Sequence, residues 1–181
     1  PKSSAASDVY KRQIKKITSK REFLRKKNYM LMGILNMTPD SFSDGGKFNS
    51  TQKALQKIIQ MKKAGAEIID IGGESTRPGS KIVSQKNELK RVKKVIEQFK
   101  KKFPKTLLSI DTRKSLVMDF SIKNNVDIIN DVSCFKFDPK SFCKVKNKNL
   151  WKIIHHMQGT PQTMQINPSS VSYTHLTLPT T

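Results

Sequence analysis

The amino-acid sequence predicts an α/β chain built around a parallel sheet, and three observations carry that prediction. Short apolar runs of strand length alternate with longer segments whose apolar residues recur at helical spacing. The connections between them are short, which is the pattern of parallel sheets and barrels. Each apolar run also ends in polar residues or glycines: Asn36, Gly72-Gly73, Asp111, Asn130-Asp131 and His155-His156. In a β/α barrel the C-terminal strand ends are the face on which sites are built.

The first strand is predicted at residues 30–35, an apolar run too short for a buried helix and stopped by Thr38-Pro39-Asp40. Asn36 sits where it ends. A polar loop follows with Asp40, Ser41, Ser43 and Asp44 around Phe42, and Gly45-Gly46 lets the chain double back. A helix starts near Ser50, a favoured N-cap, with Leu55, Ile58, Ile59 and Lys62 at helical spacing until Ala64-Gly65 closes it. Strand two spans 67–71 and runs into Gly72-Gly73. A helix over 84–103 puts Leu89, Val92, Ile96, Phe99 and Phe103 on one stripe, and Pro104 ends it. Strand three is 107–110 with Asp111 at its end. A helix over 114–124 turns Val117 and Phe120 inward, strand four is 127–129, a weaker helix lies at 139–146, and strand five is 150–154.

At 181 residues and 35% hydrophobic content the chain can form one domain with a real core. Its 35 basic and 14 acidic residues give +21, which ordinarily prompts a nucleic-acid reading. The charge, however, is spread as lysine along helix faces, with few aromatic residues interleaved to stack on bases. Solvated lysine faces are the expectation, together with no nucleic-acid partner. Cys134 and Cys143 lack zinc spacing and no secretory signal precedes them, so reduced thiols in a cytoplasmic protein are expected. No apolar run reaches membrane-spanning length, so no membrane partner is expected.

The termini read as foreign to the rest. One short DNA stretch can encode SSAASDVYKRQ near the start on one strand and VSYTHLTLPT near the end on the other in a shifted frame. Both resemble the translation of a transposon-derived library adapter. Residues 1–13 and 170–181 are therefore expected to be non-native, 14–29 to be a basic lead-in, and 30–169 to carry the fold.

The segments MGILNMTPDSFSDGG and DIGGESTRPG, starting at Met32 and Asp70, closely resemble the two signature segments of dihydropteroate synthases. Further matches follow in the family's order at Ser109-Ile110-Asp111-Thr112, Ile128-Ile129-Asn130-Asp131 and His156-Met157-Gln158-Gly159. The resemblance implies a (β/α)8 barrel of the TIM family, here with about its first five strands. It implies condensation of 6-hydroxymethyl-7,8-dihydropterin diphosphate with 4-aminobenzoate, releasing diphosphate.

For site residues the resemblance implies Asp111 and Asn130 as pterin contacts. A carboxylate can accept both bonds from an amino group beside a ring N–H, and one amide can donate and accept at mixed edges. From position alone, Asp111 could instead cap the 114–124 helix. Asn36 matches the family's Mg2+ contact and supplies an amide oxygen. Thr76 and Arg77 match the positions that hold the diphosphate, and Asp44 matches the acid that stabilises positive charge on the pterin methylene. Asp44 and Arg77 are thus the implied catalytic groups, while Phe42 and Pro78 match the walls of the aminobenzoate pocket. The family's strands six to eight, bearing an acid, a lysine, an arginine and a histidine, have no counterpart, so the chain as written is expected to be inactive. Full-length family members are expected to be homodimers. Two other readings compete: a pterin-binding methyltransferase domain, which lacks the TPDSFSDGG loop, and a basic nucleic-acid-binding protein.

Overall fold

The computed structural model describes residues 29–38, 47–76, 80–155 and 163. Elements alternate without exception: β1 (Met32–Asn36), α1 (Lys47–Lys63), β2 (Ile68–Gly72), α2 (Gln85–Lys102), β3 (Leu107–Asp111), α3 (Ser115–Lys123), β4 (Ile128–Asp131), α4 (Ser141–Val145) and β5 (Trp151–Ile154). The sheet order is β1-β2-β3-β4-β5, and every neighbouring pair is parallel. A doubly wound sheet reverses its order at a switch point; a barrel adds each strand beside the last. Among the described residues the winding is the barrel kind, continuing in one direction through five strands.

The two faces of the sheet have different partners because side chains alternate along a strand. Leu35, Ile71, Ile110 and Ile129 lie in adjoining register and are fully buried against the helices, with Ile58, Ile96, Phe99, Val117 and Met118 in the same cluster. The other face holds a smaller apolar cluster at its N-terminal end, centred on Ile68, Leu107 and Ile128 with Met32 and Ile153 against it. In a closed barrel that face is the interior. At the edge strands, Ile34 and Ile154 are exposed.

The helix boundaries follow their capping chemistry. Ser84 caps α2 by accepting the Asn87 N–H, and the Phe103 N–H closes the far end on the Phe99 carbonyl. Gly65, at φ +99°, takes the left-handed conformation that ends α1. Helix α1 starts at Lys47, so Ser50 lies inside it rather than at its cap. Its buried stripe is Thr51, Ala54, Leu55 and Ile58, and Ile59, expected inward, is exposed. At 100° per residue Ile59 falls just past the edge of that stripe. Lys100 reaches Asp127, whose carboxylate also accepts the Leu108 N–H at 2.9 Å, tying α2 to β3 and to the entry of β4. Most of the other helix lysines are exposed, as expected of solvated faces.

Candidate functional site

Parallel register places Asn36 beside Gly72, Gly72 beside Asp111, and Asp111 beside Asn130. This row is one residue past the row packed on the helices, so it belongs to the opposite, interior face. Four successive strands thus deliver one amide, one bare backbone, one carboxylate and a second amide to a shared rim. The glycine leaves a slot there: a Cβ at position 72 would stand 3.4 Å from Asp111 Oδ2 and 3.7 Å from Asn36 Oδ1.

Two residues back on the same face, Asp70 lies beside Ser109, and both are buried. Asn130 joins this layer to the rim. Its Nδ2 donates to Asp70 Oδ2 at 3.1 Å, and its Oδ1 lies 3.0 Å from His155 Nε2 just past β5. Those two contacts fix which way the amide faces. The neighbouring Asp131 is spent on the loop: it accepts the Ser133 N–H and hydroxyl at 2.7 Å and the Phe135 N–H at 3.2 Å. Alternation along β4 therefore gives Asn130 to the interior and Asp131 to loop structure.

Among the described residues the interior gathers carboxylates. Burial, followed by the negative charges of Asp70, Glu88, Asp131 and Glu74, pushes the Asp111 carboxyl up to about 7. Burial likewise raises Asp70, against the lowering effect of Ser109, Asn130 and His155. A carboxylate held this way is poised for a ligand that presents N–H donors, because donation stabilises the ionised form. Asp111 is not a helix cap. The first N–H of α3 is taken by Asp138, which accepts from Ser115 N at 2.8 Å.

Behind the rim, the loop after β2 is held by a buried ion cluster. Glu74 meets Arg113 Nε and Lys114 Nζ, each at 2.9 Å, and Lys114 Nζ also meets Glu88 at 2.5 Å. Burial works to raise Glu74, but Arg113, Lys114 and the Val83 N–H together hold it below its ordinary value. The Arg113 guanidinium stacks on Phe137, 3.8 Å from its ring centre. Thr76, half-buried, lies two residues beyond Glu74.

Of the residues singled out from the sequence, Asn36, Asp111 and Asn130 are brought together on the rim, and Thr76 is in the adjoining loop. Asp44, Phe42, Arg77 and Pro78 lie outside the described residues, as do the terminal segments 1–13 and 170–181, most of the basic lead-in, and the motif beginning at His156. Asp70, Glu74 and Lys114 were not singled out, and His155 was named only as part of the polar end of strand five. Asp70 had a readable signal, since it is the one charged residue within Ile68–Gly72, but the ion cluster joins residues 74, 88, 113 and 114, which no local spacing relates. Among the described residues no group of three or more His, Cys, Asp or Glu is placed to hold a metal ion, and no helix is long and apolar enough to cross a membrane.

Comparison with known proteins gives this geometry a context. The profile of the family described as pterin binding enzyme matches residues 32–176. The dihydropteroate synthase of Haemophilus influenzae is 46% identical over 138 residues, covering 76% of this chain and 50% of that protein. A crystal structure of the Yersinia pestis dihydropteroate synthase in complex with a sulfonamide drug aligns with a TM-score of 0.71 at 44% identity, covering 78% of this chain and 51% of that one. The Xanthomonas albilineans enzyme, solved with 4-aminobenzoic acid, aligns with a TM-score of 0.65 at 39% identity over 71% and 46% of the two chains. The chain thus spans about half the length of the relatives it matches.

Proposed function

The chain belongs to the family of pterin binding enzymes, and from that footing we propose that it carries the pterin-binding half of a dihydropteroate synthase site. The reaction is the condensation of 6-hydroxymethyl-7,8-dihydropterin diphosphate with 4-aminobenzoate. The observation that carries the reading is the rim itself, on which Asp111 and Asn130 share a register and face the sheet interior. The arylamine enters because the X. albilineans relative was solved with 4-aminobenzoic acid.

The chemistry follows from what each group can do. Asp111 accepts the pterin's amino and ring N–H donors, and the pairing draws its proton off. Asn130, with its amide fixed between Asp70 and His155, offers one donor and one acceptor to the ring's mixed edge. Thr76 and Arg77 hold the diphosphate as its C–O bond breaks, Asp44 stabilises the positive charge left on the methylene carbon, and the amine attacks that carbon to form the C–N bond, its surplus proton passing to the released diphosphate. Phe42 and Pro78 wall the arylamine in and exclude water.

Magnesium fits this site on one condition. With no metal-holding cluster of His, Cys, Asp or Glu among the described residues, it needs the substrate's phosphates together with one or two protein oxygens. Asn36 Oδ1, at the mouth of the glycine slot, is such an oxygen. When bound, the ion neutralises charge on the leaving diphosphate. The reading further places the protein in the cytoplasm and, at full family length, in a homodimer.

Binding tests the reading on this chain directly. Fluorescence titration with 6-hydroxymethylpterin should show saturable binding that Asn130→Ala weakens by about tenfold, the scale of one or two hydrogen bonds. Equal affinity in the variant would remove Asn130 from the pterin site.

A further inference from the structure

We infer that Lys114 is the positioning residue for the diphosphate-binding loop, acting through Glu74 on Thr76; this rests on the pterin diphosphate reading above. The geometry makes the loop after β2 a clamped unit. Gly73 is pressed so closely on α2 that a Cβ there would lie 2.8 Å from Glu88 Cγ, and its carbonyl accepts from Arg91 at 2.7 Å. Glu74 Oε1 takes the Val83 N–H at 2.8 Å and the Ser75 carbonyl takes the Ser80 hydroxyl at 2.6 Å, so the loop's two ends are joined across its base. Lys114 then fastens that base from a third direction, bridging Glu74 to Glu88 on α2 while itself leaving the end of β3.

Stability does not account for this arrangement. Glu74, Glu88, Arg113 and Lys114 are all at most 6% exposed, and desolvating so many charges generally offsets the attraction among them. What a charge cluster supplies that apolar packing does not is direction. Two ion pairs and a backbone N–H fix both oxygens of Glu74, hence the backbone two residues before Thr76. Lys114 leaves the same β3 terminus as Asp111, so one short segment, 111–114, sets both the pterin-facing carboxylate and the start of the diphosphate loop.

The test compares 6-hydroxymethylpterin with its diphosphate on the full chain, using Lys114→Met, the shape-preserving Glu74→Gln and the charge-preserving Lys114→Arg. Calorimetry should show the affinity gained from the diphosphate falling about tenfold in the first two, with pterin affinity unchanged and Lys114→Arg partly restored. In the ligand-free chain, amide exchange at 75, 76 and 83 should accelerate at least about tenfold in Glu74→Gln, while β3 keeps its protection. Retention of both the diphosphate gain and the loop protection would overturn the inference. Absence of pterin binding by the parent chain would defeat the pterin reading instead, and the same exchange measurement on Lys114→Met, in which 75, 76 and 83 should also accelerate, would still decide whether Lys114 holds the loop.

Discussion

Replacing Asp111 with asparagine should make the protein more stable and a worse binder. The carboxyl rises from its ordinary 3.8 to about 7 in the folded chain. A raised acid binds its proton more tightly folded than unfolded, so it destabilises the fold increasingly as pH climbs from the lower value to the higher and by a constant amount above. At about 1.4 kcal/mol per pH unit the penalty is about 1.5 kcal/mol at pH 5 and at most about 4 kcal/mol at pH 8. Asparagine keeps the shape and drops the charge. Urea denaturation of Asp111→Asn and the parent should therefore give a midpoint difference that grows with pH, reaching about 2 M at pH 8 for a slope near 2 kcal/mol/M. The same variant should lose pterin affinity, since an amide cannot accept two bonds at one edge. A stability gain that is the same at pH 5 and pH 8, or a loss at pH 8, would refute the idea that this carboxylate is held ionised at the expense of the fold.

Other perturbations separate scaffold from site. Gly73→Ala should destabilise by about 1–3 kcal/mol, because its Cβ would meet the Glu88 backbone oxygen at 3.0 Å as well as its side chain; thermal melts will read this. Asp127→Ala removes the acceptor of the buried Leu108 N–H and one partner of Lys100, which keeps the Thr106 carbonyl, and should cost about 2 kcal/mol by denaturant titration, with no cost refuting the tie between α2 and β3. Asp138→Ala removes the acceptor for the Ser115 and Lys140 N–H groups and should cost about 1 kcal/mol, seen as faster amide exchange in the first turn of α3 and at Lys140. Asn36→Ala should abolish any magnesium-dependent gain in affinity for the pterin diphosphate while leaving pterin affinity unchanged, as isothermal titration with and without the metal will show.

Much of this was legible in the sequence because it depends on local pattern. The stripe of Val92, Ile96 and Phe99, the glycine that ends α1 and the polar residues closing each apolar run all follow from periodicity and backbone preference. So did the outward lysines. Helix α1 was placed late because Ser50, a good cap by type, lies within a helix that extends one turn earlier. Part of the site was out of reach for a different reason. Lys114 marked only the start of a predicted helix, and only folding brings it to Glu74 and Glu88, forty and twenty-six positions away. His155 and Asp70 are likewise brought together by folding, on either side of Asn130. Asp70 could have been caught, since an acid inside an otherwise apolar strand must face something that tolerates it.

The most direct measurement is a backbone amide NMR titration with 6-hydroxymethylpterin at pH 8. Shifts concentrated at residues 36, 72, 111, 130 and 155, and lost together in Asp111→Asn, are the predicted result. Shifts dispersed along the lysine faces of α1 and α2, with that rim silent, would contradict it.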